Sequence, residues 1–146
     1  MFKNNINLQL LISYFGLLPF LFSILDIYYL GYFSSLLIIN FIIYYSLLVL
    51  TFVGAVNWQY KYNPSRQIIL HGFWPSILST ILIFFSFISD LEKILLLIIM
   101  LAFILQLFLD FILFKEDQMT SNNFFKIRLP LTILLVSSLY LIIIRI

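Results

Sequence analysis

Five residues carry the side chains best able to do chemistry in this chain: Asn57, Trp58, His71, Asp110 and Arg128, with Gln106, Thr132, Pro75 and Ser76 beside them. Gln106 and Asp110 stand four apart, as do Arg128 and Thr132. His71, Pro75 and Ser79 follow one another at the same step, so on a helix each set shares one face. A further stripe joins Asn40, Tyr44, Thr51, Gly54 and Trp58. A carboxylate opposite a guanidinium in hydrocarbon suits proton movement or a polar ligand. A lone imidazole can fill one axial haem position or make a hydrogen bond, and with Trp58 and Trp74 it could line a quinone site.

Other chemistries are excluded by inventory. With Cys 0 there is no thiolate nucleophile or metal site, and a single His cannot build a multi-histidine centre. No Gly-x-Ser-x-Gly elbow is present, and glycines at 16, 31, 54 and 72 are too scattered to cradle a phosphate. The sequence thus points to no catalytic residue, no metal and no cofactor.

The elements that must position these residues follow from composition. Of 146 residues, 64% are hydrophobic and only 10% charged, with a mean hydropathy of +1.14. Soluble domains carry about 25% charge, so this chain belongs in a bilayer, as one membrane domain over 1–146 with no nucleic-acid partner. Crossing about 30 Å of hydrocarbon takes roughly 20 apolar residues. Five such runs occur, over 8–25, 33–58, 68–89, 94–114 and 127–144. They are continuously apolar rather than alternating, which excludes barrel strands. An all-α bundle of five transmembrane helices is expected, with breaks at 26–31, 61–66, 90–93 and 115–123. Pro19 and Pro75 read as kinks, and Trp58 and Trp74 as members of an interfacial aromatic belt. The first run lacks a small-residue cleavage site and reads as a retained span rather than a signal peptide.

Five spans put Lys3, Lys61, Arg66, Lys115, Lys126 and Arg128 on one side and Lys93 and Arg145 on the other. The basic excess places the N-terminus inside. In that topology Asn57, Trp58, His71, Asp110 and Arg128 share a depth near the inner leaflet. Two readings stand side by side: packing glue between helices, or a ligand, proton or partner site. Abundant Ile, Phe, Tyr, Asn and Lys, with Ala only at 55 and 102, imply an A/T-rich source such as an organelle genome, an endosymbiont or a streamlined bacterium, and the expected location is a bacterial or mitochondrial inner membrane.

The blocks Tyr14 to Phe20, Phe52 to Trp58, Pro75-Ser76, Gln106 to Asp110 and Arg128 to Thr132 resemble, in order, the small multi-span proteins typified by transmembrane protein 69, a family of unknown function. The resemblance implies a membrane fold over nearly the whole chain and names no activity. One departure is Asn57, where the family pattern has His before the Trp, which puts a proton relay through that position in doubt. Three functions follow from the residues. The first is a non-enzymatic subunit or assembly factor of a larger membrane complex, respiratory if the source is organellar, with the lipid bilayer and other membrane subunits as partners. The second is a small proton-coupled carrier that titrates Asp110 against Arg128. The third is a quinone- or haem-binding subunit built around His71, Trp58 and Trp74.

Overall fold

The computed structural model describes residues 10–56, 66–87, 91–116 and 119–146. Among them there is no strand; five helices are long and apolar enough to cross a membrane. They are α1 (Leu10–Leu30), α2 (Ser35–Val56), α3 (Arg66–Ser86), α4 (Glu92–Lys115) and α5 (Ser121–Arg145). In hydrocarbon a spanning segment must satisfy its own backbone groups, which is why apolar runs of this length become helices. The chain is an integral membrane protein of the all-α class.

Consecutive helices pack side by side and α1 closes against α5, while α2 and α4 also touch across the middle. The arrangement is a ring of five with α2 and α4 as its most buried members. Most of the core lies at one end: Phe20 of α1, Ile42, Ile43 and Leu47 of α2, Leu96 and Ile99 of α4, and Leu139 and Ile142 of α5, all fully buried. A smaller core at the other end joins Ile68 of α3, Leu113 of α4, Met119 and Phe124.

Two boundaries differ from the sequence expectation, each for a local reason. The break expected at 26–31 is helical as far as Leu30, through a wide π turn over Asp26–Leu30. Asp26 is buried because its carboxylate turns back on the chain. Oδ1 accepts from the Tyr32 amide at 3.0 Å and Oδ2 from the Phe33 amide at 3.3 Å. Gly31, at φ 62°, makes the left-handed turn that ends the helix and donates its amide to the Asp26 carbonyl at 2.8 Å. The charge that looked like a loop residue is therefore the cap of the loop. Asp26→Ala orphans two amides and should cost about 1–3 kcal/mol. Asp26→Asn, which keeps one oxygen, should recover part of that loss in a thermal melt in detergent.

The loop expected over 115–123 is also shorter, because α5 begins at Ser121. The Thr120 hydroxyl accepts from the Asn123 amide at 3.4 Å. A second π turn, Phe124–Arg128, follows, and both of its end residues are buried. Phe124 stacks on Phe114 with ring centroids 5.2 Å apart, which draws this polar-looking segment onto α4. Pro19 was expected as a kink; the irregularity sits just before it, as a turn at Gly16–Leu17. There the Tyr45 hydroxyl of α2 donates to the Gly16 carbonyl at 2.9 Å. Pro75 lies inside α3 and faces Gly54 of α2, where any Cβ would stand 2.7 Å from the Gly72 carbonyl oxygen and 2.8 Å from Pro75 Cγ. Farther along the same antiparallel seam, the buried Ser79 hydroxyl donates to the Leu47 carbonyl at 3.1 Å.

Candidate functional site

Between the two cores lies a layer of polar groups drawn from four helices. Asp110 of α4 is buried, with Arg128 Nε of α5 at 3.5 Å from Oδ2. Gln106, one turn earlier on α4, donates from Nε2 to Asp110 Oδ1 at 2.9 Å. Its own Oε1 accepts from the Trp74 indole of α3 at 2.9 Å. Arg128 Nη2 donates to the Val53 carbonyl of α2 at 3.0 Å. The chain of contacts therefore runs from α3 through α4 and α5 to α2, and each carboxylate oxygen of Asp110 has a partner.

Helical spacing explains the arrangement. Gln106 and Asp110 sit on the inward stripe of α4 that also carries Ala102, Phe103 and Leu113, all buried. Arg128 ends the π turn of α5, whose geometry turns it inward together with Phe124. A buried charge is tolerated only when paired and hydrogen-bonded, and here the guanidinium meets a carboxylate and a carbonyl at once. Such a layer fixes the relative rotation and height of four helices, because sliding any one of them by a turn would break at least one contact.

Of the nine residues picked out in the sequence, Gln106, Asp110 and Arg128 are brought together. Asn57 and Trp58 lie outside the described residues. His71 is half-buried on α3, between Ile68, which belongs to the smaller core, and Trp74, which bonds Gln106. The antiparallel register puts it level with Asp110, yet its Nδ1 is buried with no hydrogen-bond partner among the described residues. Pro75 belongs to the α2–α3 seam rather than to the polar layer. Ser76 beside it is half-buried, and its carbonyl accepts from the Thr80 hydroxyl at 2.9 Å. Trp74 was expected in an aromatic belt; its indole instead points into the bundle, half-buried and bonded to Gln106. Trp74→Phe removes that donor and should lower stability by about 0.6–1.7 kcal/mol, the range of interhelical hydrogen bonds in bilayers. Equilibrium unfolding in mixed detergent would measure it.

Thr132 stands apart from the layer and lines a groove of about 680 Å³ between α1, α2 and α5. Arg128 borders the same groove from its inner side, with Ser13 and Asn123 near it. Deeper in, the walls are apolar, with Leu17, Val49 and Leu135. α1 is tied to α5 at two heights, by Tyr14 Oη donating to the Lys126 carbonyl at 3.2 Å, level with the polar end of the groove, and by Tyr28 Oη donating to the Leu141 carbonyl at 3.0 Å, beyond its apolar end.

Comparison with known families matches residues 7–144 to a family described as a protein of unknown function (DUF3429). The chain belongs to the DUF3429 family. No curated protein and no solved structure matches it. Within this DUF3429 chain, two parts of the polar layer had no clear mark in the sequence. Val53 contributes only a backbone carbonyl, which no side-chain pattern reveals. Trp74 lies three residues after His71 on α3, and that spacing was the available signal. Ser13 and Asn123 fall in an ordinary span and an ordinary break, and nothing in a single sequence brings α1 beside the start of α5.

Proposed function

We propose that this DUF3429 protein is a non-enzymatic integral membrane protein that serves as a helical subunit or assembly factor of a larger inner-membrane complex, bacterial or mitochondrial, with a respiratory assembly the first to test. The single observation that carries this reading is the mutual pairing of Asp110, Gln106, Trp74 and Arg128. Their polar groups are spent on one another, which makes the layer a clasp for the bundle rather than a path for a solute. What the bundle then offers its surroundings is large apolar side chains, such as Phe84, Phe108 and Tyr140, exposed around its perimeter. Such faces suit lipid and the helices of partner subunits alike. The excess of basic residues on one side supports an inside N-terminus. The resemblance to the transmembrane protein 69 group supports a membrane role without a reaction.

The carrier reading makes a different demand on the same residues. A proton carrier must protonate Asp110 in each cycle, which means breaking and remaking its contacts with Arg128 and Gln106. Proteoliposomes loaded with a pH-sensitive dye separate the two. The clasp reading expects proton leak to be equal for native protein, Asp110→Asn and protein-free vesicles. A flux present in the native protein and abolished in a folded Asp110→Asn variant would move the assignment to a carrier.

A further inference from the structure

The groove between α1, α2 and α5 is amphipathic along its length, and this goes beyond the subunit reading and does not depend on it. Three polar side chains gather toward one end, Ser13, Asn123 and Arg128, while Thr132 lies farther in, one turn before Leu135. Hydroxyls elsewhere in the bundle turn back onto the carbonyl four residues earlier, as Ser23, Thr51, Thr80 and Ser138 do at 2.8–2.9 Å. The hydroxyls of Ser13 and Thr132 and the Asn123 amide make no such bond with any described residue, although all three residues are half-buried. They leave hydrogen-bonding capacity aimed at a space whose remaining walls are mainly apolar.

Length and access narrow the occupant. The groove follows α5 from Asn123 to Leu135, twelve residues or about 18 Å at the helical rise. One leaflet of hydrocarbon is about 15 Å deep, half the full core. The polar end lies within about two turns of the start of α5, where headgroups meet hydrocarbon, and the apolar end reaches toward the midplane. The rim is formed by Ile12, Leu48 and Phe52, all more than half exposed on the lateral surface of the bundle. Entry is therefore from the membrane side and not from water.

We infer that this groove binds one glycerophospholipid from the adjoining leaflet, with an acyl chain between Leu17, Val49 and Leu135 and the phosphate or ester oxygens accepting hydrogen bonds from Ser13 and Asn123. The donors match a head rich in acceptors, and the apolar depth matches a chain. Arg128 keeps its bond to Val53 and its pairing with Asp110 while bordering the head.

Native mass spectrometry of the purified protein in mild detergent tests this, with phosphatidylglycerol, phosphatidylcholine and a short-chain quinone each added separately. The expected result is one retained phospholipid per chain. Val49→Trp, which fills the apolar part, should lose it. Ser13→Ala and Asn123→Leu, which change volume little, should each weaken retention by roughly threefold to tenfold, as loss of one hydrogen bond does. If Val49→Trp does not fold, these two variants decide alone. Retention equal in native protein and variants, no phospholipid retained at all, or quinone retained in its place would overturn the assignment.

Discussion

Arg128→Met is expected to be among the most damaging single substitutions in the bundle, lowering stability by about 3–5 kcal/mol because it leaves the Asp110 carboxylate buried without its counter-charge. Asp110 is 1% exposed and lies beside the smaller apolar core, so water cannot take the place of the guanidinium. Unfolding a membrane bundle separates helices rather than unravelling them. A contact that joins α5 to both α4 and α2 therefore bears directly on the quantity measured. Asp110→Leu should be damaging for the mirror reason, since it strands the guanidinium. The double variant Asp110→Leu with Arg128→Met should regain most of the loss, because a well-packed apolar pair can replace a buried ion pair. A cycle of the four proteins, followed by unfolding in mixed detergent, gives the coupling directly. Additive losses with no recovery would mean that the two side chains act independently.

The second large effect belongs to the α2–α3 seam. Gly54→Leu should separate the two helices and either prevent assembly or destabilise it by about 3 kcal/mol or more, beyond the usual cost of overpacking, because the obstruction is backbone. Even the single carbon of Gly54→Ala would meet the Gly72 carbonyl oxygen at 2.7 Å and Pro75 Cγ at 2.8 Å, and neither can rotate away. Close approach of this kind is how small residues bring helices together in lipid, where no hydrophobic force does so. Gly31→Ala is the informative comparison: its Cβ meets nothing within 4 Å, and its cost is confined to the left-handed backbone. It should be the milder of the two, at about 1 kcal/mol. Size-exclusion profiles and melting in detergent rank them, and equal damage from the two would refute the seam.

What could be read in advance and what could not divide along physical lines. Span count and helix class follow from apolar run length alone, because hydrocarbon admits few ways of satisfying a backbone. The Gln106–Asp110 pairing was likewise visible, since four residues on one helix must be neighbours. The proximity of Asp110 and Arg128 followed from the short loop that joins their helices. The limits at Asp26 and Phe124 were harder. Whether a charged or polar residue ends a helix depends on where its side chain finds partners, and Asp26 found them six and seven residues ahead. The groove was least accessible, since it depends on α1 closing the ring against α5, and that contact is 112 residues distant in sequence at Tyr14 and Lys126. Trp74 shows the same limit from another side: an indole near a helix end suits an interfacial belt or an inward bond equally well, and only the rotation of α3 against α4 decides.

The central claim is that the clasped bundle is a component of something larger. Native electrophoresis of mildly solubilised membranes, with mass spectrometry of every band that contains this chain, tests it most directly. The account predicts co-migration with a large membrane assembly, retained in variants such as Ser13→Ala that leave the clasp intact. Migration at the mass of one or two copies, with no other membrane protein in the band, would contradict it.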